Sequence, residues 1–491
     1  MGLEIDREEF DDADRERFAH RLARSLEALR SLVDRPGFGV GPPSVGAELE
    51  LALVDGGALP FLGNQAVLDE VADPRLCLEV DRFNLEINAR PTLLAGRPFT
   101  TLAADLGDAL AATRRAAAKH GARVATVGIL PTLEERDLDR SVLSDARRYR
   151  ALSASLRRLR QGPFRIEIDG GDSLTLDADD VTLEGANTSF QIHLRVDPAD
   201  YARTYNAAQL ATGPALAIAG NSPTFLGRTL WEETRIALFR QSVDDRFDVA
   251  AGDWRPARVS FGHGWVRRGA VELFEEVVAM HTALLPITGE GDPLDELARG
   301  ATPGLAELRL HNGTVWRWNR PVYDPDAGGH LRVELRALPA GPTVTDAVAN
   351  AAFFVGLTLG LAPRADRLVH HVTFGQARRN FYEAARYGLS AELLWPCDDA
   401  PSPRPVGAKE LALDLLHVAR AGLDAGGVDE DEIDAWLGVV ERRAETGNTG
   451  AAWQRRALAR LGASIDGRAR MLDEYQRRSE SGDPVHRWAD L

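Results

Sequence analysis

Apolar positions recur along the chain in two rhythms, one typical of helices and the other typical of strands. A spacing of three to four residues predicts helices over residues 12–34, 100–119, 204–219, 344–361, 408–422, 430–445 and 451–478. Strict alternation predicts strands over residues 45–53, 83–89, 164–168, 189–196, 306–311 and 331–337. Because each strand has one apolar and one polar face, we predict an α+β fold with a mainly antiparallel β-sheet and helices packed on its apolar face.

The stretch of residues 363–407 lacks this periodicity and ends in a cluster of prolines, Pro401, Pro403 and Pro405. Such clusters are typical of domain boundaries and linkers. We therefore predict a catalytic domain over residues 1–400 and a helical C-terminal extension over residues 401–491. Within the extension, Asn448 or Thr449 is expected to cap the start of a helix rather than to belong to a flexible lid.

The longest apolar run, Ala347 to Ala362, is interrupted by Asn350 and is shorter than the roughly 20 residues needed to cross a bilayer. It is interpreted as a buried helix, and no membrane partner is expected. The net charge of -16 argues against a nucleic-acid partner recognised by bulk charge. Cys77 and Cys397 form no CxxC pair and the N-terminus has no apolar signal-peptide core, so a reduced, cytoplasmic location is favoured.

The polar faces of the predicted strands carry Glu, Gln, His and Arg, and no Lys. For any single strand, a face that simply meets water is the simpler interpretation. However, Glu48 and Glu50 project to the same side two residues apart, where their mutual repulsion favours a divalent cation between them. Further candidate ligands for Mg²⁺ or Mn²⁺ are Glu86, Gln191, His193 and Glu334. Candidate phosphate-binding residues are Arg309, Arg332 and Arg336.

Metal-binding carboxylates beside phosphate-binding arginines are the groups needed for phosphoryl transfer from ATP. The sequence has no GxxxxGK[ST] phosphate loop, no GxGxxG after a predicted strand and no GxSxG elbow. ATP is therefore expected to bind through metal and arginine on the sheet rather than through a phosphate loop.

A series of short motifs runs through residues 45–375. They are GAELE at 46–50, RFNLEIN at 82–88, GILP at 128–131, Arg148-Tyr149, NTSFQIHL at 187–194, AGNSP at 219–223, the pair Arg235 and Arg246, HNGTVW at 311–316 and RVELR at 332–336. In type and order they resemble the motifs of bacterial and plant-type glutamate–cysteine ligases and the related carboxylate–amine ligases, members of the glutamine synthetase-like superfamily.

The resemblance implies a curved catalytic sheet and an ATP-dependent ligase that acts in glutathione biosynthesis. It would join the γ-carboxylate of glutamate to an amine, cysteine by default, through an acyl phosphate. The implied metal ligands are Glu48, Glu50, Glu86, Gln191, His193 and Glu334, and the implied catalytic residues are Glu48, Glu86 and Arg336. Implied nucleotide- or phosphate-binding residues are Arg332, Arg336 and Arg246, and implied substrate-binding residues are Arg235, Asn221, Ser222 and Arg148. Expected partners are amino-acid substrates, ATP and a second copy of the chain in a homo-oligomer.

Two alternatives stand beside the ligase. A phosphotransferase similar to the guanidino kinases would use the same catalytic sheet and the same metals. A non-catalytic protein that binds an amino acid or a nucleotide is the other alternative. Four carboxylates on one face argue against this second alternative, because a sheet without catalysis has no need of them.

Overall fold

A computed structural model describes residues 7–246, 254–396 and 402–491, which contain seventeen α-helices and fourteen β-strands. The helices are α1 (Asp12–Val33), α2 (Asn64–Val71), α3 (Pro98–Lys119), α4 (Arg147–Arg160), α5 (Thr182–Gly185), α6 (Tyr201–Ala219), α7 (Thr234–Ser242), α8 (Ala270–Met280), α9 (Pro293–Ala298), α10 (Ala306–Gly313), α11 (Val344–Leu361), α12 (Ala365–His371), α13 (Phe374–Tyr387), α14 (Ala408–Ala425), α15 (Glu430–Thr446), α16 (Gly450–Leu461) and α17 (Ile465–Ser481). The strands are β1 (Ser44–Val54), β2 (Leu76–Leu78), β3 (Asn84–Asn88), β4 (Thr92–Leu93), β5 (Arg123–Ala125), β6 (Phe164–Asp169), β7 (Ser173–Ala178), β8 (Phe190–Val196), β9 (Thr224–Phe225), β10 (Arg228–Thr229), β11 (Asn319–Asp324), β12 (His330–Leu335), β13 (Glu392–Trp395) and β14 (Arg404–Gly407).

Eight of the strands form one curved, antiparallel sheet. Its order is β11-β12-β8-β1-β3-β2, and β4 and β5 each pair with one end of the long strand β1. The register sets Glu50 opposite Glu86, Glu48 opposite Gln191, and His193 opposite Glu334. Because directly opposed side chains point to the same face, this register gathers the polar residues of four strands on one side.

The other face of the sheet is apolar and packs on α3, α6 and α11. Leu49 and Leu51 of β1 and Val333 of β12 are buried in this layer. The residues alternate because one face of the sheet meets helices and the other does not. The predicted α+β fold, with a curved antiparallel sheet and helices on its apolar face, is confirmed.

Residues 306–311 form the helix α10, so the strand predicted there is wrong. Leu308 and His311, three positions apart, are both buried, which is the spacing of one helical face. A six-residue stretch fits both periodicities, and burial against neighbouring helices selects the helix. Arg309 therefore lies on α10 and not on the polar face of the sheet.

Residues 164–168 do form a strand, β6, but among the described residues it pairs only with β7 in a separate hairpin. Its polar side chains are exposed, and Arg165 Nε donates to Glu167 Oε1 at 2.7 Å. For this one strand the polar face simply meets water, because the hairpin lies outside the catalytic sheet.

The region of residues 363–407 is more regular than its sequence indicates. It contains α12, α13 and the hairpin of β13 with β14, in which Pro405 pairs with Leu394. Cys397 and Pro401 lie outside the described residues. The C-terminal helix α14 packs along α11 in the same hydrophobic core as the sheet. The division into domains at residue 400 stays a prediction.

Residues 451–478 form two helices, because Gly462, with φ of 86°, ends α16 before α17 begins. The Thr449 side chain accepts a hydrogen bond from Ala452 N at 3.1 Å, which confirms the predicted helix cap. The helical stretch Val344–His371 is long and apolar enough to cross a membrane, but 78% of its most apolar window is buried inside the protein. The prediction of a buried helix is confirmed, and such burial is typical of a core helix in a soluble protein.

Candidate active site

Three predicted metal ligands meet on the polar face where β1, β8 and β12 lie side by side. His193 Nε2 is 3.0 Å from Glu48 Oε1 and 3.6 Å from Glu334 Oε1. One ligand atom from each of the three residues lies within 4.8 Å of the other two. Two carboxylates and an imidazole at this separation are suited to a divalent cation such as Mg²⁺ or Mn²⁺.

Glu334 is the most deeply buried of the three, with 1% of its side chain exposed. Arg320 of β11 holds it with both arms, since Arg320 Nε donates to Oε2 at 2.5 Å and Nη2 donates to Oε1 at 2.9 Å. Arg336 Nη1 lies 3.3 Å from Oε2. Burial alone would raise the pKa of Glu334, but these guanidinium charges outweigh it and hold the pKa well below its usual range.

Glu50 is held by the neighbouring strand. Its Oε2 accepts from Ser189 N at 2.5 Å and its Oε1 accepts from Gln191 Nε2 at 3.0 Å. Gln191 Oε1 in turn accepts a hydrogen bond from Arg336 Nη1. Burial is strong enough to raise the pKa of Glu50 despite the hydrogen bonds of Ser189 and the charge of Arg336. The side chains of Glu50, Gln191 and Arg336 thus form one connected row.

Glu86 of β3 lies beside Glu48 and Glu50, and no arginine of the described residues pairs with it. Its Oε1 accepts from Asn88 Nδ2 at 2.8 Å and lies 3.3 Å from the free thiol of Cys77. Burial and the charges of the neighbouring carboxylates raise its pKa well above the usual range. A buried carboxylate next to two others is stable only as the neutral acid or with an added cation.

Arg235 of α7 is buried at the edge of this cluster. Its Nε donates to Glu233 Oε1 at 3.0 Å, and its Nη2 donates to the carbonyl of Ala337, the residue after Arg336. The guanidinium lies 5.6 Å from the ring centre of Trp318, within range for a cation–π contact. The structure therefore places Arg235 beside the residue that follows Arg336, already paired with an acid, and its role in substrate binding stays a prediction.

Asn221 and Ser222 are fully buried in the loop between α6 and β9. The Asn221 side chain turns toward the C-terminal helices, and Ser222 Oγ accepts from Arg235 N at 3.3 Å. Both residues thus contact the start of α7, the helix that carries Arg235.

The remaining predicted arginines lie at different distances from the metal-ligand cluster. Arg332 lies on β12, on the same face of the sheet as the cluster, and forms an ion pair with Asp324 at 3.2 Å. Arg148 of α4 donates to Leu78 O at 3.2 Å, at the end of β2. Arg246 is held by both oxygens of Asp244, and in the described part of the chain no hydrogen bond or ion pair joins it to the cluster. The predicted nucleotide-binding role of Arg246 stays a prediction.

Sequence reasoning missed three residues of the site: Arg320, Glu79 and Glu184. Arg320 lies on β11, whose sequence NRPVYD alternates poorly and contains a proline, so no strand was predicted there. Glu79 and Glu184 come from a strand end and a short helix, where periodicity carries no information. Burial and the nearby charge of Glu50 raise the pKa of both to about 8. Both carboxyl groups are therefore neutral below about pH 8, and they enlarge the group of acidic side chains at this face.

The arrangement concentrates more carboxylates than the nearby arginines neutralise. Glu86 and Glu334 are buried and Glu48 and Glu50 are partly buried; burial raises the pKa of Glu50 and, together with the charges of the neighbouring carboxylates, the pKa of Glu86. Their oxygen donors, with one imidazole, fit Mg²⁺ or Mn²⁺. A cation bound here beside Arg336 creates a positively charged surface suited to polyphosphate.

Comparison with known proteins agrees with this geometry. The model of Glutamate-cysteine ligase family 2 (GCS2) matches residues 44–481. The fold is similar to that of a glutamate–cysteine ligase from Francisella tularensis, solved in complex with AMP, at 13% identity and a TM-score of 0.57 over 90% of each chain. A bifunctional glutathione synthetase from Pasteurella multocida matches at 10% identity and a TM-score of 0.50, over 93% of this chain and 53% of that one. No curated protein sequence matches the chain significantly.

Proposed function

Because this chain belongs to Glutamate-cysteine ligase family 2 and is an ATP-dependent carboxylate–amine ligase, we propose that it joins the γ-carboxylate of glutamate to an amine, cysteine by default, with Mg²⁺ or Mn²⁺ and through an acyl phosphate. The observation that most supports the metal is the meeting of Glu48, His193 and Glu334 within 4.8 Å. Family membership also supports the association with glutathione biosynthesis expected from the resemblance.

The proposed reaction has two steps. First, a γ-carboxylate oxygen of glutamate bonds to the γ-phosphorus of ATP while the bond to ADP breaks. Then the amine nitrogen bonds to the acyl carbon, inorganic phosphate leaves, and a proton of the amine passes to solvent. A bound Mg²⁺ or Mn²⁺ supplies Lewis acidity and neutralises phosphate charge. Negative charge grows on the phosphate oxygens in both steps, so fixed cations aimed at them lower both barriers.

Within this proposal, Glu48, Glu50, Glu86, Gln191, His193 and Glu334 hold the metals. Arg336 donates to the transferring phosphate from the edge of the metal cluster. Arg320 is added to the phosphate-binding set, because a cation at the triad competes with it for Glu334 and frees its planar fork. Arg332 lies farther along the same face, where it is placed to bind the nucleotide phosphates, and Arg246 completes this predicted set.

For the acid substrate we propose Arg235, whose charge acts on Glu50, and Arg148, whose charge acts on Glu79. Arg235 is rigidly oriented by Glu233 and by the carbonyl of Ala337, so its free N–H groups are fixed before substrate arrives. Asn221 and Ser222 act on the substrate indirectly, because both contact the start of α7, the helix that carries Arg235. The proposed partners are amino acids and ATP, with a cytoplasmic location and a homo-oligomeric state as further expectations.

The deciding experiment separates the ligase from a phosphotransferase. Release of ADP and of inorganic phosphate is measured with glutamate and MgATP alone, and then with cysteine, other amino acids and simple amines in turn. The ligase requires an amine for sustained turnover and yields free phosphate with a new amide, identified by mass spectrometry. Phosphate that stays on a stable product, with no amide formed, would refute the ligase.

A variant tests the metal assignment within the same assay. Glu86→Gln keeps the size and the hydrogen bond of Asn88 but removes one negative charge from the cluster. It is expected to abolish Mg²⁺-dependent turnover while the unfolding temperature stays the same or rises, since a repelled buried acid is removed. Unchanged activity would contradict the role of Glu86.

A further inference from the structure

The helices α16 and α17 contact the catalytic region at one buried asparagine. Asn221 uses every polar group it has: Nδ2 donates to Ala340 O at 2.7 Å and to Tyr475 Oη at 2.8 Å, and Oδ1 accepts from Gln454 Nε2 at 2.9 Å. Tyr475 Oη in turn donates a hydrogen bond to Thr126 O at 2.8 Å. Tyr475 lies on α17 and Gln454 lies on α16, so both C-terminal helices form hydrogen bonds with the same side chain.

The start of α16 approaches Asn221 so closely that only glycine fits at position 450. A Cβ atom on Gly450, the first residue of α16, would lie 2.1 Å from Asn221 Oδ1, a distance at which atoms overlap. Ala451 N also donates to Gly220 O at 2.8 Å. The start of α16 is thus fitted directly against the loop that follows α6.

From Asn221 the contacts continue into the active site. Asn221 N donates to Glu233 Oε2 at 2.9 Å, and the other oxygen of Glu233 accepts from Arg235 Nε at 3.0 Å. Arg235 then donates to the carbonyl of Ala337, directly after Arg336. Asn221, Glu233 and Arg235 are at most 2% exposed, so water does not compete for these bonds.

We propose that α16 and α17 form a brace, a support for the loop of residues 220–223 that follows α6. In this brace, Gln454 and Tyr475 are positioning residues that act on Arg235 through Asn221 and Glu233. The inference rests on the proposed function, because it assigns Arg235 to the acid substrate. It gives the C-terminal extension a role in substrate affinity that its distance from the metal-ligand cluster would not suggest. Buried networks of this kind hold a side chain in one geometry at little cost in entropy when substrate binds.

The chain offers a matched pair of variants. Gln454 and Gln476 are both buried, each donates through Nε2 to the main chain or to Asn221, and each has an unpartnered Oε1. Gln476 lies next to Tyr475 but donates to Val124 O of β5 at 3.2 Å, away from the loop. Gln454→Met therefore removes two hydrogen bonds to Asn221, at 3.2 and 2.9 Å, and Gln476→Met removes one to Val124 O, at 3.2 Å, so only the first variant touches the brace.

Two readouts are taken on the full-length protein. Deuterium uptake is measured for peptides covering residues 219–235, and KM is measured separately for glutamate and for ATP. Gln454→Met is expected to speed exchange in these peptides and to raise KM for glutamate about five- to tenfold, the effect of one net hydrogen bond. KM for ATP should change less than about twofold, and Gln476→Met should leave both readouts near wild type. A purely structural role would lower the amount of active enzyme without moving KM.

The inference is overturned if the two variants behave alike, or if exchange rises in Gln454→Met while KM for glutamate does not. Tyr475→Phe serves if Gln454→Met does not fold, because it keeps the aromatic packing against Trp453 and Trp488 and removes only the hydroxyl. Should the wild-type protein show no ligation of glutamate, the proposed function fails. The exchange readout then decides by itself whether the helices hold the loop.

Discussion

In the proposed metal site, Arg320 and the metal ion would compete for the carboxylate of Glu334, and this competition predicts an unusual variant. In Arg320→Met the buried Glu334 loses two hydrogen bonds, at 2.5 and 2.9 Å, and its closest cation. Removing one partner of a buried ion pair costs about 3–5 kcal/mol, and we expect the lower end because Arg336 stays 3.3 Å from Oε2. The metal-free protein should therefore be destabilised.

The corresponding change in melting temperature follows from the size of the chain. Unfolding entropy of about 2.1 cal/mol/K per residue gives roughly 1 kcal/mol/K for 491 residues, so a loss of about 3 kcal/mol lowers Tm by about 3 °C. The metal response should move the other way. A cation at the triad needs Glu334 Oε1, which Arg320 Nη2 occupies. Freeing that charge-assisted bond, about 1.5–3 kcal/mol, should tighten metal binding by roughly ten- to a hundredfold.

The assay compares thermal unfolding in EDTA with unfolding at increasing Mg²⁺ or Mn²⁺, together with calorimetric titration of the metal. In EDTA, wild type should be more stable than Arg320→Met. As metal is added, Arg320→Met should gain more stability than wild type at each metal concentration. Arg195→Met is the control, since Arg195 lies on the same face but donates only to the carbonyls of Gly39 and Val40, at 3.3 and 3.4 Å. Equal metal shifts in Arg320→Met and wild type would refute the competition.

Three further variants test other parts of the site. Burial raises the folded-state pKa of Glu184 to about 8, so the stability that its neutral form gives is present below the ordinary value of 4.5 and is lost as pH rises through about 8. Glu184→Gln should therefore raise the Tm of the metal-free protein more at about pH 8.5 than at about pH 5, and an equal change at both pH values would contradict the assignment. Gly450→Ala should displace Asn221, lower Tm and raise KM for glutamate, whereas Gly438→Ala, with no atom within 4 Å of the added carbon, should not; similar kinetics for the two would count against the brace. Glu48→Gln should remove the Tm shift caused by Mg²⁺, and a shift equal to that of wild type would exclude Glu48 as a ligand.

The sequence predicts which face of each strand is polar, because alternation has a period of two and needs no tertiary information. Glu48, Glu50, Glu86 and His193 were placed correctly on one face for this reason. The same alternation failed at residues 306–311, since Leu308 and His311 satisfy a helical period equally well and only packing decides. The pattern of a short segment without a turn signal at either end does not distinguish a strand from a helix.

Alternation does not give the register between strands, and the site depends on register. His193 lies opposite Glu334 because β8 and β12 pair at that offset, and a slip of one residue would bring Leu335 there instead. The role of Arg320 also depends on register, because it stands opposite Glu334 where β11 pairs with β12. The brace at Asn221 joins residues more than two hundred positions apart, and no local pattern marks such a contact.

The directions of the pKa shifts divide the polar face into two halves with different electrostatic needs. Beside β11 and β12, protein cations outweigh burial, so Glu334 is charged without metal and an incoming cation must displace Arg320. Beside β3, Glu86 faces other carboxylates and no arginine contacts it among the described residues, so an incoming cation relieves repulsion there instead of replacing a partner. Binding of the same divalent ion is therefore opposed at the end of the face near Glu334 and favoured at the end near Glu86. On this proposal, metal would bind to the carboxylates of the face while the guanidinium groups beside β11 and β12 remain available for phosphate.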